Sequence, residues 1–499
     1  MKSLLIPIII LFSLNVWAEN YTLTLNDVTF DQATGTIVQF NNYTEKDITI
    51  PSFFNVDGID VEIKIIGNNA FSFQFLSSVK LPNTITRIEY MAFNYNNLSS
   101  IDLPDGITTI GNEAFANNYI NTLSLPSSLT EISYGAFENN QLSSINIPSN
   151  LTEIKAYTFS QNQISSVVIP ENIVSIERFA FYSNQISLLT IPNTITFIGE
   201  AAFNKNAITT INGESSDGII YLRNEDGTED LSAIISYGGT SKAIDFIPSS
   251  VVSINELAFT GNSITSLTIP ETITEIQDNA FASNAITTLS IPNNVTSLGS
   301  FAFAFNSLVS ISLPESISDI GFGLVNGNAI TEINGIPSNG ILFGRNFDGT
   351  EDPTIVTSYG GVSDIINFIP ETVKTIGEHS FILNNLTSVT IPEGVTCIRD
   401  LAFQNNKITT LNLPNSLHYI GYQAFFLNSI NSITIPENVI CIKEGAFLMN
   451  SLSNFYLPTH SELSSKGWID AAGNTYYSNE KVTNLSTSYR IHRHLPYRI

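Results

Sequence analysis

A period constrains this chain more than any other feature. Prolines stand at Pro82, Pro104, Pro126, Pro148, Pro170 and Pro192, then at Pro248, Pro270, Pro292 and Pro314, then from Pro370 to Pro458, and inside each run the step is 22 residues. Eleven residues after a proline comes phenylalanine, as in Phe93, Phe115, Phe281 and Phe403, with Val325 replacing it once. Three residues further on comes asparagine, as in Asn96, Asn118, Asn284 and Asn406. A period in the twenties is the mark of a solenoid. The chain is therefore a stack of coils, and its length does not convert into globular domains of ~150 residues each.

One coil can be read from Ile269–Ile291, IPETITEIQDNAFASNAITTLSI. The stretch Ile264–Pro270 is short, β-branched and apolar near every second position, which predicts a strand. Proline has no N–H for a ladder and suits the strand's end. Ile273–Ile276 predicts a second short extended segment. The stretch around Ala-Phe is too short for a full helix and predicts a tight or 3₁₀-like turn. Stacked coils would line up the Leu/Ile positions as one core and the phenylalanines as an aromatic spine. The repeated asparagine sits among apolar residues, so its amide must be paired, with backbone groups of its own and adjacent coils. Phe, Asn and Pro are thus scaffold and not site.

The repeated pieces Ile120–Pro126 and Ile107–Phe115 resemble the leucine-rich repeats of BspA-like, or Treponema pallidum-type, bacterial surface proteins. The resemblance runs from about Ile50 to Pro458. It implies a leucine-rich-repeat solenoid, mostly short β-strands with tight turns or 3₁₀ segments, over residues 66–458. It also implies binding of host matrix proteins or other cells.

Residues 1–18, MKSLLIPIIILFSLNVWA, read as a secretory signal peptide: Lys2, an apolar centre, and a small residue at the exit, Ala18. They are short for a membrane span, which needs about 20 apolar residues. Residues 19–65 break the period and predict an N-terminal β cap with an atypical first coil. Tyr21–Leu25 and Thr36–Phe40 are expected to pair as a hairpin, with Asp57-Gly58 in a longer loop. After Pro458 the period stops. Residues 459–499, with Lys466-Gly467-Trp468 and Tyr476, resemble part of the β-grasp Listeria–Bacteroides surface repeat and end in a basic tail carrying His492 and His494.

Two places interrupt the stack. Pro192 to Pro248 takes 56 residues, which is 22 plus 34, and Pro314 to Pro370 repeats this. The insertions, about 212–245 and 334–367, match each other: GIIYLRNEDGTEDLSAIISYGG at 218–239 and GILFGRNFDGTEDPTIVTSYGG at 340–361. Each places β-rich runs around Asp-Gly, a hairpin signature, and predicts a unit that projects from or widens the stack. Asp226 and Asp230, with Asp348 and Asp352, could supply oxygen ligands to calcium. Their spacing is not that of an EF-hand loop, and a solvated acidic turn accounts for them as well.

No other chemistry declares itself. His379 and His418 are isolated, no Gly-rich phosphate loop follows a strand, and no Cys/His ligand spacing is present, so neither enzyme activity nor a cofactor is indicated. The net charge of −25 disfavours nucleic acid as a partner. Cys397 and Cys441 occupy one site two coils apart, roughly 10 Å, too far for a disulfide. Two unpaired thiols are expected.

What remains is surface. The outward strand positions include Ser144, Ser166, Thr265, Ser266, Thr268, Thr287, Thr288, Thr409 and Thr410, a broad array of small hydroxyls. Solenoids bind partners on such faces. The expectation is a monomeric secreted or cell-surface protein that binds an extracellular protein, host-matrix or cell-surface ligand there. The alternative is a purely structural array, or a carbohydrate-binding one using this face with Tyr221, Tyr237 and Tyr359.

Overall fold

The computed structural model describes residues 20–456 and, beyond them, the strands Trp468–Ile469 and Thr475–Tyr476, which pair antiparallel. The signal-peptide segment 1–18 and the rest of 459–499, with its two tail histidines, lie outside the described residues. The chain divides into two compact units, Met1–Ile164 and Ser165–Ile499. Both are repeat solenoids of short strands.

In the first unit the cap differs from expectation in two respects. Thr36–Phe40 pairs antiparallel with Val28–Asp31, whereas Tyr21–Thr22 joins Asp47–Thr49 in a parallel ladder. The cause is Asp27: its carboxylate accepts from the Thr24 N–H and hydroxyl, both at 2.7 Å, and bends Leu25–Asp27 into a 3₁₀ turn that ends the first strand early. Asp57-Gly58 forms a two-residue hairpin between Phe53–Val56 and Ile59–Glu62, not a longer loop. Both turn residues have positive φ, 53° and 86°, the backbone such a hairpin needs.

From there the coils stack in register. Ile65–Ile66, Arg87–Ile88, Thr109–Ile110 and Glu131–Ile132 form one parallel ladder, each pair 22 residues from the next. Ser100–Ile101 and Thr122–Leu123 belong to another. Ile66, Ile88, Ile101, Ile110 and Ile132 on these strands are buried. The Ala-Phe corner is a series of tight turns with no 3₁₀ helix. Alternate N–H groups bond within the corner, as Ala92 to the Glu89 carbonyl. The others donate to the next coil, as Phe93 to the Ala114 carbonyl at 2.8 Å. Left-handed residues two before and two after the phenylalanine, such as Met91 and Tyr95, make that alternation possible.

Phenylalanines from successive corners stack. Phe71, Phe93, Phe115 and Phe137 have centroids 5.1, 5.3 and 5.5 Å apart with rings nearly parallel. All are fully buried, each contributing about 1.5–3 kcal/mol by leaving water. The recurring asparagine behaves as a clip, as the need to pair a buried amide requires. Asn118 accepts the Leu98 N–H at 3.1 Å and donates to the carbonyls of Phe93 and Phe115 at 3.0 and 3.1 Å, tying one coil to its neighbour. Asn96, Asn140 and Asn162 do the same.

The second unit repeats this scheme around Phe259, Phe281 and Phe303, and around Phe381, Phe403 and Phe425. Its two insertions are hairpins, Ile219–Arg223 with Glu229–Tyr237 and Ile341–Arg345 with Glu351–Tyr359. They do not project. Ala233 and Ile234 pair in parallel with Ser253 and Ile254, and Ile355 and Val356 with Thr375 and Ile376, so each hairpin's second strand is a rung of the ladder. The tip folds onto the preceding coil: a Cβ on Gly227 would lie 1.8 Å from the Asn193 carbonyl oxygen.

Candidate binding faces

The second strand of each inserted hairpin ends in a tyrosine that takes the phenylalanine's place in the spine. Tyr237 stacks on Phe259 at 5.1 Å and Tyr359 on Phe381 at 5.3 Å. Both are fully buried, and each hydroxyl donates to a serine carbonyl, Ser241 or Ser363. Burial pushes both phenols up to about 12. These two rings are core, which corrects their reading as surface residues for sugar; Tyr221 is half-buried.

Asn204 and Asn326 seat the insertions, a role the sequence reading missed. Asn204 accepts from the Ser236 hydroxyl and the Tyr237 N–H and donates to the carbonyls of Leu257 and Thr260, joining the coil before the insertion to the coil after it. Asn326 repeats this with Ser358, Tyr359, His379 and Ile382. The clue available in the sequence was the matching pair of asparagines, each the same distance before its insertion.

The four candidate calcium ligands are engaged in turn-making. Asp226 accepts from the Thr228 N–H and hydroxyl at 3.0 and 2.6 Å, and Asp348 does likewise with Thr350. These hydrogen bonds hold both carboxyls below the usual carboxylate range. Asp230 and Asp352 bind the N–H and hydroxyl of Ser232 and Thr354 in the same way. Among the described residues, no group of three or more acidic, His or Cys side chains is placed to hold a metal.

His379 Nδ1 lies 3.5 Å from a Glu378 carboxylate oxygen, and its ring stands edge-on to Phe301. Burial holds its pKa below the ordinary value, opposed by the charge of Asp400. An open depression of about 300 Å³ lies elsewhere, lined by Glu256, Glu275, Asp278 and Asp319. The thiols of Cys397 and Cys441 are free, and Tyr419 stands between them in register.

All nine strand-face candidates are exposed. Ser166, Ser266, Thr288 and Thr410 lie on strands; Ser144, Thr265, Thr268, Thr287 and Thr409 sit in the flanking extended segments. The Thr265 hydroxyl donates to the Lys242 carbonyl at 3.2 Å and that of Thr409 to the Thr387 carbonyl at 3.3 Å. Those hydroxyls reinforce the stack. The strand positions present theirs in parallel rows: Thr288, Ser310 and Glu332 are register partners, as are Ser388 and Thr410.

The spine, clips and ladders define a leucine-rich-repeat solenoid. The chain belongs to the family described as BspA type Leucine rich repeat region, matched in six copies over residues 39–165, 152–223, 240–348 and 362–467. No curated protein matches it. Among solved structures it is similar to a leucine rich cell surface protein from Faecalibacterium prausnitzii A2-165, at 22% identity over 87% of this chain and 93% of that one, with TM-score 0.38. It is similar also to the pneumococcal vaccine antigen PcpA, at 18% identity over 92% and 98%, with TM-score 0.38. A third is a leucine-rich repeat protein from Eubacterium ventriosum ATCC 27560, at 17% identity over 85% and 90%, with TM-score 0.34. Among the described residues no helix is long and apolar enough to cross a membrane.

Proposed function

We propose that this protein is an exported adhesion module that binds an extracellular protein or cell-surface ligand through its exposed strand rows. The observation that carries this is the set of exposed outward hydroxyls Ser166, Ser266, Thr288 and Thr410, each on a short parallel-paired strand of its own sheet, with Thr288 beside Ser310 and Thr410 beside Ser388 in register. Such a face recognises a partner by many weak polar contacts spread over a wide area, with little conformational entropy lost by the scaffold. Membership of the repeat family favours binding over catalysis, and the leader-like segment 1–18 favours export.

The test uses the mature chain on a sensor surface against purified extracellular-matrix proteins. Wild-type protein is expected to bind one of them saturably. Replacing Ser266, Thr288 and Thr410 together by Lys should abolish binding and leave the circular-dichroism spectrum unchanged. Binding that survives these changes, or no saturable binding to any matrix protein, refutes the reading.

A further inference from the structure

Most coils carry small or polar residues four positions after the spine phenylalanine: Gln141 and Gln163 in the first unit, Ala285 and Ser307 in the second. The first coils depart from this. There the position runs Phe75, Asn97, Tyr119. The backbone confirms that these residues stand in register, because the N–H groups of Asn97 and Tyr119 donate to the carbonyls of Leu76 and Leu98 at 2.8 and 2.9 Å. Phe75 is 63% exposed and Tyr119 53%. Beside them Phe73 and Tyr95, two positions upstream, stack ring on ring at 4.6 Å with 11° between planes.

We propose that this corner is a binding subsite for an extended, uncharged oligosaccharide. Phe75 and Tyr119 are two coils apart, about 10 Å at ladder spacing. An extended β-linked hexose chain advances by a similar distance over two sugars and then presents the same face again. A sugar's C–H face can therefore lie on each ring, with the intervening sugar above Asn97. The Asn97 amide makes only a long 3.4 Å contact to the Phe75 carbonyl, so its oxygen and much of its donor capacity are open to a hydroxyl.

Charge selects the same class. The chain carries a net −25, yet Phe75, Asn97, Tyr119 and Gln141 are all uncharged. The Lys46 ammonium near this corner is engaged by the carbonyls of Tyr43 and Gln74 at 2.9 and 2.7 Å. The row offers rings and amides in place of a cation, which suits a neutral glycan and gives a sulfated or sialylated one no anchor. The subsite stands on a corner of the coil and does not depend on the strand-face reading.

The test is calorimetric titration of the full-length mature protein with cellohexaose, chitohexaose and, as a coiled α-linked control, maltohexaose. Binding of a β-linked hexamer is expected, with none to maltohexaose. Phe75→Ala and Tyr119→Ala should each weaken it about tenfold, the scale of one lost aromatic contact. Phe75→Tyr and Tyr119→Phe keep the ring and should retain affinity, which separates lost stacking from damaged folding. The proposal is overturned if neither β-linked hexamer binds, if maltohexaose binds equally, or if both alanine variants bind as wild type does. Binding only of a protein ligand through these rings also overturns it.

Discussion

Replacing Asn118 by alanine tests the clip at its simplest. The side chain has three strong partners: the Leu98 N–H and the carbonyls of Phe93 and Phe115, all backbone groups and all buried. Alanine leaves the Leu98 N–H without a partner, while the Phe93 and Phe115 carbonyls keep the amides of Asn96 and Asn140 at 3.0 and 2.9 Å. An orphaned buried donor or acceptor costs about 1–3 kcal/mol, and the donor weighs most because a carbonyl tolerates partial satisfaction better. The expected loss is about 2–3 kcal/mol, most of it from the orphaned Leu98 N–H. Asn121→Ala, at an exposed neighbouring position, should cost under about 0.5 kcal/mol. Asn118→Asp is the sharper variant. Its carboxylate still accepts from Leu98 but faces two carbonyl oxygens, so ionisation is disfavoured in the fold and the folded pKa is raised. The aspartate variant should therefore be more stable below the ordinary carboxylate pKa and lose stability as pH rises through the raised value. Hydrogen exchange of Leu98 and its neighbours, measured beside urea unfolding, reads the effect locally, since a long repeat array need not unfold in one step. Equal protection in Asn118→Ala and Asn121→Ala would refute the clip.

Two further outcomes follow from the insertions. Tyr237 and Tyr359 titrate at about 12 when folded, above the unfolded value near 10, so the fold holds the extra proton. Their stabilisation is complete below pH 10 and is lost as pH rises from 10 to 12, by at most about 3 kcal/mol each; urea midpoints of Tyr237→Phe,Tyr359→Phe should fall less over that range than wild type, and parallel curves would contradict this. Gly227→Ala should destabilise the first hairpin by more than about 2 kcal/mol, because its φ is +82° and a Cβ would collide with the Asn193 carbonyl. Protease cleavage at the hairpin tip, against Gly213→Ala where a Cβ meets nothing within 4 Å, checks it; equal cleavage of the two variants counts against the docked tip.

The stack was legible because its determinants are repeated. Any one of Phe93, Asn96 or Pro104 says little, but the same residue at the same phase in coil after coil leaves a single architecture. The misses fall where the period stops and local chemistry decides. Asp27 ended a strand by binding Thr24, a bond invisible to a pattern of apolar alternation. Tyr237 and Tyr359 looked like surface aromatics because the insertions hid their phase. Once the hairpin's second strand became a rung, they fell on the spine. Asn204 and Asn326 occur once per insertion and so gave no periodic signal.

The same logic locates function. In a stack of equivalent coils a residue that serves the scaffold must recur, since every coil meets the same neighbours on both sides. Phe115 and Asn118 recur and are buried; the hydroxyls of Thr265 and Thr409 recur and bond the coil beneath. A residue that is exposed, does not recur and breaks the local rule has no such duty. Phe75 and Tyr119 meet all three conditions, at a position filled elsewhere by glutamine, asparagine, alanine, serine or lysine. Keeping large rings in water there gains the stack nothing. A proline scan cannot detect such positions, whereas a comparison of each coil with its own repeats does.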